Sequence, residues 1–108
     1  MRNGILIPDT AEAVVRALCL DYPRRREAIE YHTVTPRTEN EFKYYNYKIY
    51  DATAEIVGEN LANTFINDIG KRIGFTEDRG LFISEVTYKT RKRDAVLNIA
   101  YRLHLLDK

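Results

Sequence analysis

Among its 108 residues the chain has one cysteine, three prolines, five glycines and no tryptophan. The lone thiol, Cys19, has no internal partner, so no disulfide framework holds the fold. With few breakers available, long helices are the natural expectation. No apolar run is long enough for a signal-peptide core or a membrane span, so no membrane partner and a cytoplasmic location are expected. His32 and His104 stand far apart without a cysteine or carboxylate at ligand spacing, so no metal or other cofactor is expected. An enzyme is the weakest reading, with no catalytic residue assigned: no glycine pattern suits a phosphate loop, and no Ser or Cys lies near a candidate His.

The net charge is only +1, from 17 basic and 16 acidic side chains, but the two signs are unevenly distributed. Up to residue 60 there are eight basic and ten acidic side chains, whereas from residue 71 onward nine basic face five acidic. The positive charge therefore gathers at the C-terminal end. What the chain does have is apolar content, 44% with eight Tyr and four Phe, which indicates a folded globular protein of ordinary domain size.

The stretch 84–106 organises the reading. Ser84 is a candidate cap, Glu85 suits the first turn of a helix, and neither Gly nor Pro interrupts the stretch. Val96, Ile99, Ala100, Leu103 and Leu106 recur at three and four residue spacing, so the second half is expected to lie against a core. In the first half Lys89, Arg91, Lys92 and Arg93 point around most of the axis, leaving only the side of Val86, Thr90 and Leu97 free of positive charge. A helix anchored at one end and basic at the other suits duplex DNA, where the first turns meet base edges and nearby cations hold phosphates. A solvated, idle face is the alternative from residue chemistry alone.

The string Ile83-Ser84-Glu85-Val86-Thr87-Tyr88-Lys89-Thr90-Arg91-Lys92-Arg93, followed by Ile99-Ala100 and Leu103 to Leu106, resembles the C-terminal end of phage-type transcriptional regulators of the RinA and ArpU kind. Leu20-Asp21-Tyr22-Pro23-Arg24 is similar to the N-terminal signature of the same family. The resemblance implies a helix-turn-helix related to region 4 of sigma factors, and a DNA-binding regulator of transcription with double-stranded DNA and RNA polymerase as partners to test; separately, a net charge of +1 is modest for a nucleic-acid binder and implies either a weak monomer interaction or a homodimer that doubles the charge. Ser84, Thr87, Tyr88, Arg91 and Arg93 fall on its recognition-helix positions, and Lys89 stands where the family often has a second Tyr. On this reading Thr87, Tyr88 and Arg91 approach bases, while Lys89, Lys92, Arg93, Lys71 and Arg72 hold phosphates.

Helices are expected from end to end. Ile5, Leu6 and Ile7, closed by Pro8, read as a tail packed on the body. Asp9 and Glu12 make an acidic capping box for a helix over 9–20, whose apolar side would be Ala13, Val14, Ala17, Leu18 and Leu20. Pro23 opens a helix to about His32, with Arg24, Arg25 and Arg26 either paired to Glu27 and Glu30, solvated, or held for a phosphate. After a linker at 33–36, Thr38 and Glu41 form a second capping box, and Phe42, Tyr45, Ile49, Ala52 and Ile56 a heptad stripe. The aromatic residues Tyr44, Tyr45, Tyr47 and Tyr50, with Ile49, serve as core, as a dimer contact or as a base-stacking surface. Leu61, Phe65, Ile66, Ile69 and Ile73 define a supporting helix closed near Gly74. The next ten residues, 74–83, are longer than the usual three or four of a helix-turn-helix connection, with Phe75, Leu81, Phe82 and Ile83 available to pack them down. The expected architecture is one all-α domain, 1–108, of about five helices: N-terminal helices to residue 57, then a helix-turn-helix-like pair over 58–108. The alternative function is a helical interaction or dimerisation module without nucleic-acid binding.

Overall fold

Prolines and caps punctuate the chain into five α-helices, seen in a computed structural model that describes residues 7–106 apart from the side chain of Asp78. They are α1 (Asp9–Leu20), α2 (Tyr22–Tyr31), α3 (Pro36–Val57), α4 (Glu59–Lys71) and α5 (Glu85–Arg102), with a single 3-10 turn at Glu77–Arg79 between the last two. Pro23 lies in the first turn of α2, and Pro36 opens α3, where a missing N–H costs nothing. Gly58, at φ 86°, breaks α3 from α4 in a backbone region that favours glycine.

Several expected caps are placed differently. The Thr35 hydroxyl, not a Thr38–Glu41 pair, caps α3 by accepting from the Thr38 N–H at 3.2 Å. Neither Asp9 nor Glu12 closes a capping box at α1, because Glu12 instead holds Arg16 one turn on, at 2.8 Å. α4 ends at Arg72, which takes the left-handed conformation itself at φ 58°, two residues before Gly74.

α3 packs against α5, α4 and α2, while α1 lies across α4 and α5. The main core draws Val15 and Cys19 from α1, Ile49 and Ala52 from α3, Ile66 and Ile69 from α4, and Ala95, Val96, Ile99 and Ala100 from α5. The expected apolar face of α5 is thus buried, with Leu103 and Leu106 packed at its margin. Ile7 packs there too, whereas Ile5 and Leu6 lie outside the described residues. α1 buries the face of Ala11, Val15 and Cys19 and exposes Ala13, Val14, Ala17 and Leu20, a correction to the expected side. The reason is a close crossing: a Cβ on Gly70 of α4 would come within 2.5 Å of the Leu20 backbone nitrogen. Only glycine lets α4 approach α1 this closely, and that contact selects which side of α1 turns inward.

Buried polar groups fix the remaining joints. Arg25 is buried rather than paired to Glu27 or Glu30, donating to Asn46 Oδ1 at 2.7 Å and to the Leu18 carbonyl. It ties α1 and α2 to α3 and is not available to a phosphate. Arg24 pairs with Asp21, whose carboxyl is held below the usual carboxylate range by hydrogen bonding to that guanidinium. Asn98 of α5 donates to the Ala52 carbonyl at 2.9 Å and to Glu55 at 2.8 Å, fastening α5 to α3.

Candidate nucleic-acid interface

The N-terminal half of α5 is set by its cap and by one buried tyrosine. Ser84 accepts from the Thr87 N–H at 3.1 Å, satisfying an otherwise orphaned donor of the first turn. One residue later Tyr88 turns inward: it is 1% exposed, with its ring 5.1 Å from Phe65 and 5.7 Å from Phe75. Its hydroxyl donates to Asp68 Oδ2 at 2.5 Å and contacts the Ile73 carbonyl at 3.1 Å. Burial and the Asp68 hydrogen bond push the Tyr88 pKa up to about 12. A side chain so held cannot touch a base, which removes Tyr88 from the expected base contacts and makes it the anchor of α5 on α4.

Asp68, fully buried on α4, is the hub of this anchor. Arg79 donates to it bidentately, at 2.7 and 2.8 Å, from the 3-10 turn. The carboxylate in turn raises the Arg79 pKa further above the ordinary arginine value. Phe75, Leu81 and Ile83 pack on the Val57–Phe65–Tyr88 cluster, so the long connector is a folded-down turn. Phe82, expected to join them, is 99% exposed at φ 59°, a conformation bulky side chains rarely adopt.

Three cations gather at the carbonyl end of α4, one on a carbonyl of its last turn and two on carbonyls of the segment that follows it. Arg16 donates to the Ile69 carbonyl at 3.0 Å, Lys92 to the Ile73 carbonyl at 2.6 Å and Arg79 to the Gly74 carbonyl at 3.3 Å. Such groups suit the negative end of a helix dipole and satisfy acceptors left without partners there. Lys92, expected to hold a phosphate, is half-buried in this internal role, a second correction.

The remaining expected residues face outward. Ser84, Lys89, Arg91 and Arg93 are exposed and Thr87 is half-buried, its hydroxyl accepting from Ser84 Oγ at 2.9 Å. Lys89 pairs with Glu85 one turn back, at 2.8 Å, with both side chains largely in solvent, so the pair is weak. Lys71 and Arg72 are exposed at the end of α4, next in sequence to Ile73, which touches both Tyr88 and Lys92. Lys89 and Arg93 border the groove toward α1, whereas Arg91 borders a shallower groove beside Glu55 and Ile56 of α3. Val86, 76% exposed, and Thr90 line this second groove with Arg91, Thr87 and Asp94. Sequence reasoning passes over both as the uncharged side. Their signal is present all the same: a β-branched apolar residue in the first turn, followed four residues later by a hydroxyl.

The tyrosine surface divides. Tyr44 and Tyr47 are exposed, and Tyr45 lies at the margin with the Arg25 guanidinium 5.9 Å from its ring centroid. Tyr50 is half-buried on the core. Ile49 is wholly buried inside the chain, which removes it from the candidate dimer contacts. Tyr31, on α2, is a further exposed aromatic that the sequence pattern does not bring forward.

Among the described residues no group of three His, Cys, Asp or Glu is placed to hold a metal ion, and no helix is long and apolar enough to cross a membrane. Comparison with family models, curated proteins and solved structures finds no match to the chain.

Proposed function

We propose that the protein binds duplex DNA through the outward face of the N-terminal half of α5, as a regulator of transcription. The observation that carries this reading is the make-up of that outward face: Val86, Thr87 and Thr90 line one groove with Arg91 and Asp94, and Lys89 and Arg93 border the groove on the other side of the helix. A small apolar group and hydroxyls can meet thymine methyls and base edges, and cations on either side suit the two phosphate walls of a major groove. Lys71 and Arg72 add phosphate contacts from α4. Compared with the sequence-based assignment, base contact passes from Tyr88 to Val86 and Thr90, and Lys92 leaves the phosphate set. The resemblance to the RinA and ArpU regulators points the same way and adds RNA polymerase as a partner to test. The experiment is titration of labelled random and promoter-type duplexes across a salt series, with the variants Lys89→Ala plus Arg93→Ala, and Val86→Ala.

A second reading rests on Tyr31, Tyr44 and Tyr47, which expose large aromatic surface on α2 and α3. Tyr is favoured at protein interfaces, so these exposed rings suit self-association or a protein partner. Sedimentation of the wild type against Tyr44→Ser plus Tyr47→Ser tests it: a dimer that the substitutions dissolve supports the reading, and a monomeric wild type contradicts self-association. A dimer is compatible with DNA binding, since two copies can match two half-sites.

A further inference from the structure

A cavity of about 520 Å³ opens between α1, the start of the 74–83 connector and the flank of α5 that carries Lys89, Lys92 and Arg93. Its size falls within the range of small-molecule sites, roughly 300–1,000 Å³. Phe75, Val96 and Leu97 give it an apolar wall, joined by Ile7 at its edge. Among the described residues its charged lining is mostly cationic, with Arg16, Lys89, Lys92 and Arg93 beside Asp9 and Glu12.

The imbalance centres on Lys92. Glu12 is committed to Arg16 at 2.8 Å, and Lys89 is paired with Glu85, which does not line the cavity. The Lys92 ammonium meets the Ile73 carbonyl and stands 5.7 Å from the centre of the Tyr88 ring, with no carboxylate paired to it among the described residues. Burial, together with the nearby Arg16 and Arg79 charges, pulls its pKa below the usual lysine range even though Asp68 acts the other way. A half-buried cation beside an apolar wall, with a neutral carbonyl for its hydrogen bond, is complementary to one negative charge carried on an apolar body.

We propose that this cavity binds a small amphipathic carboxylate, its charge at Lys92 and its body against Phe75, Val96 and Leu97. The site stands on its own geometry, but a regulatory consequence rests on the DNA-binding reading. Lys89 and Arg93 border both the cavity and the proposed DNA face, so a bound anion offsets cations that phosphates would use and lowers duplex affinity. The ligand would then act as an effector that releases DNA.

The test is an NMR titration of the ¹⁵N-labelled chain with decanoate, 2-naphthoate, decanol and inorganic phosphate, with no DNA present. Saturable shifts at Phe75, Tyr88, Lys92 and Leu97 are expected with a carboxylate, and decanol and phosphate should bind about tenfold more weakly or worse. Whichever carboxylate binds more tightly identifies the body as alkyl or aromatic. A Cβ at Gly74, which lines the cavity, meets no heavy atom within 4 Å, so Gly74→Leu should fold, fill the space and abolish binding. In Lys92→Met the preference for decanoate over decanol should disappear. Decanol binding as well as decanoate, shifts confined to other surfaces, or undiminished binding by Gly74→Leu would overturn the proposal. Decanoate binding by a protein that ignores duplex DNA removes the regulatory role and the DNA reading while leaving the site. DNA binding by a protein that ignores decanoate does the reverse.

Discussion

Arg79 closes a bidentate pair on Asp68, at 2.7 and 2.8 Å, with the carboxylate wholly buried and also accepting from the Tyr88 hydroxyl. One side chain of α4 thereby fixes both the connector and the first turns of α5. Because Arg79 is 24% exposed, losing Asp68 leaves no fully buried charge, and taking an acceptor away from buried or half-buried donors costs about 1–3 kcal/mol. Asp68→Ala should lower stability by that amount in denaturant titration, with amide exchange at Arg79 and Tyr88 rising before the rest of the chain.

Gly70 marks where α4 crosses α1. An added Cβ would meet the Leu20 nitrogen at 2.5 Å, Leu20 Cα at 2.6 Å and the Cys19 carbonyl carbon at 2.8 Å, all backbone atoms that cannot rotate away. Gly70→Ala should therefore destabilise by about 1–3 kcal/mol or more, although alanine is the better helix former. Thermal unfolding reads this directly, and an unchanged or raised Tm would show that the helices cross elsewhere.

Phe82 holds a left-handed conformation, at φ 59°, while its ring meets solvent. Strain of this kind costs of order 1–3 kcal/mol, and no packing of the ring offsets it. Phe82→Gly should raise stability by about 1 kcal/mol or leave it level, whereas Leu81→Ala, next to it and packed on the Tyr88 cluster, should lower it.

Tyr88 makes stability depend on pH in the alkaline range. Its pKa is about 12 in the folded chain against an ordinary 10.0. A raised folded-state pKa means that the native state holds the proton more tightly, so this contribution is complete below pH 10 and is lost as the pH climbs through about 12. In Tyr88→Phe that alkaline loss should shrink, at the expense of lower stability at neutral pH where Asp68 loses a donor.

The sequence carries much of this fold on its surface and little of its wiring. Pro23, Gly58 and Ser84 mark helix boundaries by local chemistry, whereas α3 begins at Pro36 and not at the expected Thr38 cap, because Pro fits the first helical position and Thr35 caps it. The buried side of α1 is not legible, because that helix has apolar residues on two sides and the choice is made by Gly70, some fifty residues away. Tyr88 and Lys92 sit among exposed basic residues and look like part of the same surface. Their inward role depends on Asp68 and Ile73, which the connector brings back from across the chain. Arg25 is hidden for the same reason: besides Asp21 four residues back, its partners are the Leu18 carbonyl and Asn46 rather than the expected Glu27 and Glu30. At the candidate site the cations and the uncharged side of Val86 and Thr90 are both readable by position, whereas the groove that this side shares with Glu55 and Ile56 of α3 emerges only from the fold.

The central claim is that the cations flanking Val86 and Thr90 hold DNA phosphates, and the salt dependence of duplex binding tests it most directly. The logarithm of the binding constant should fall linearly with the logarithm of salt concentration, and Lys89→Ala plus Arg93→Ala should reduce that slope by about two units, one for each phosphate contact removed. Lys92→Met should leave the slope nearly unchanged, because its ammonium is turned toward Ile73. No duplex binding at about 50 mM salt, or a slope that the double variant does not alter, would contradict the account.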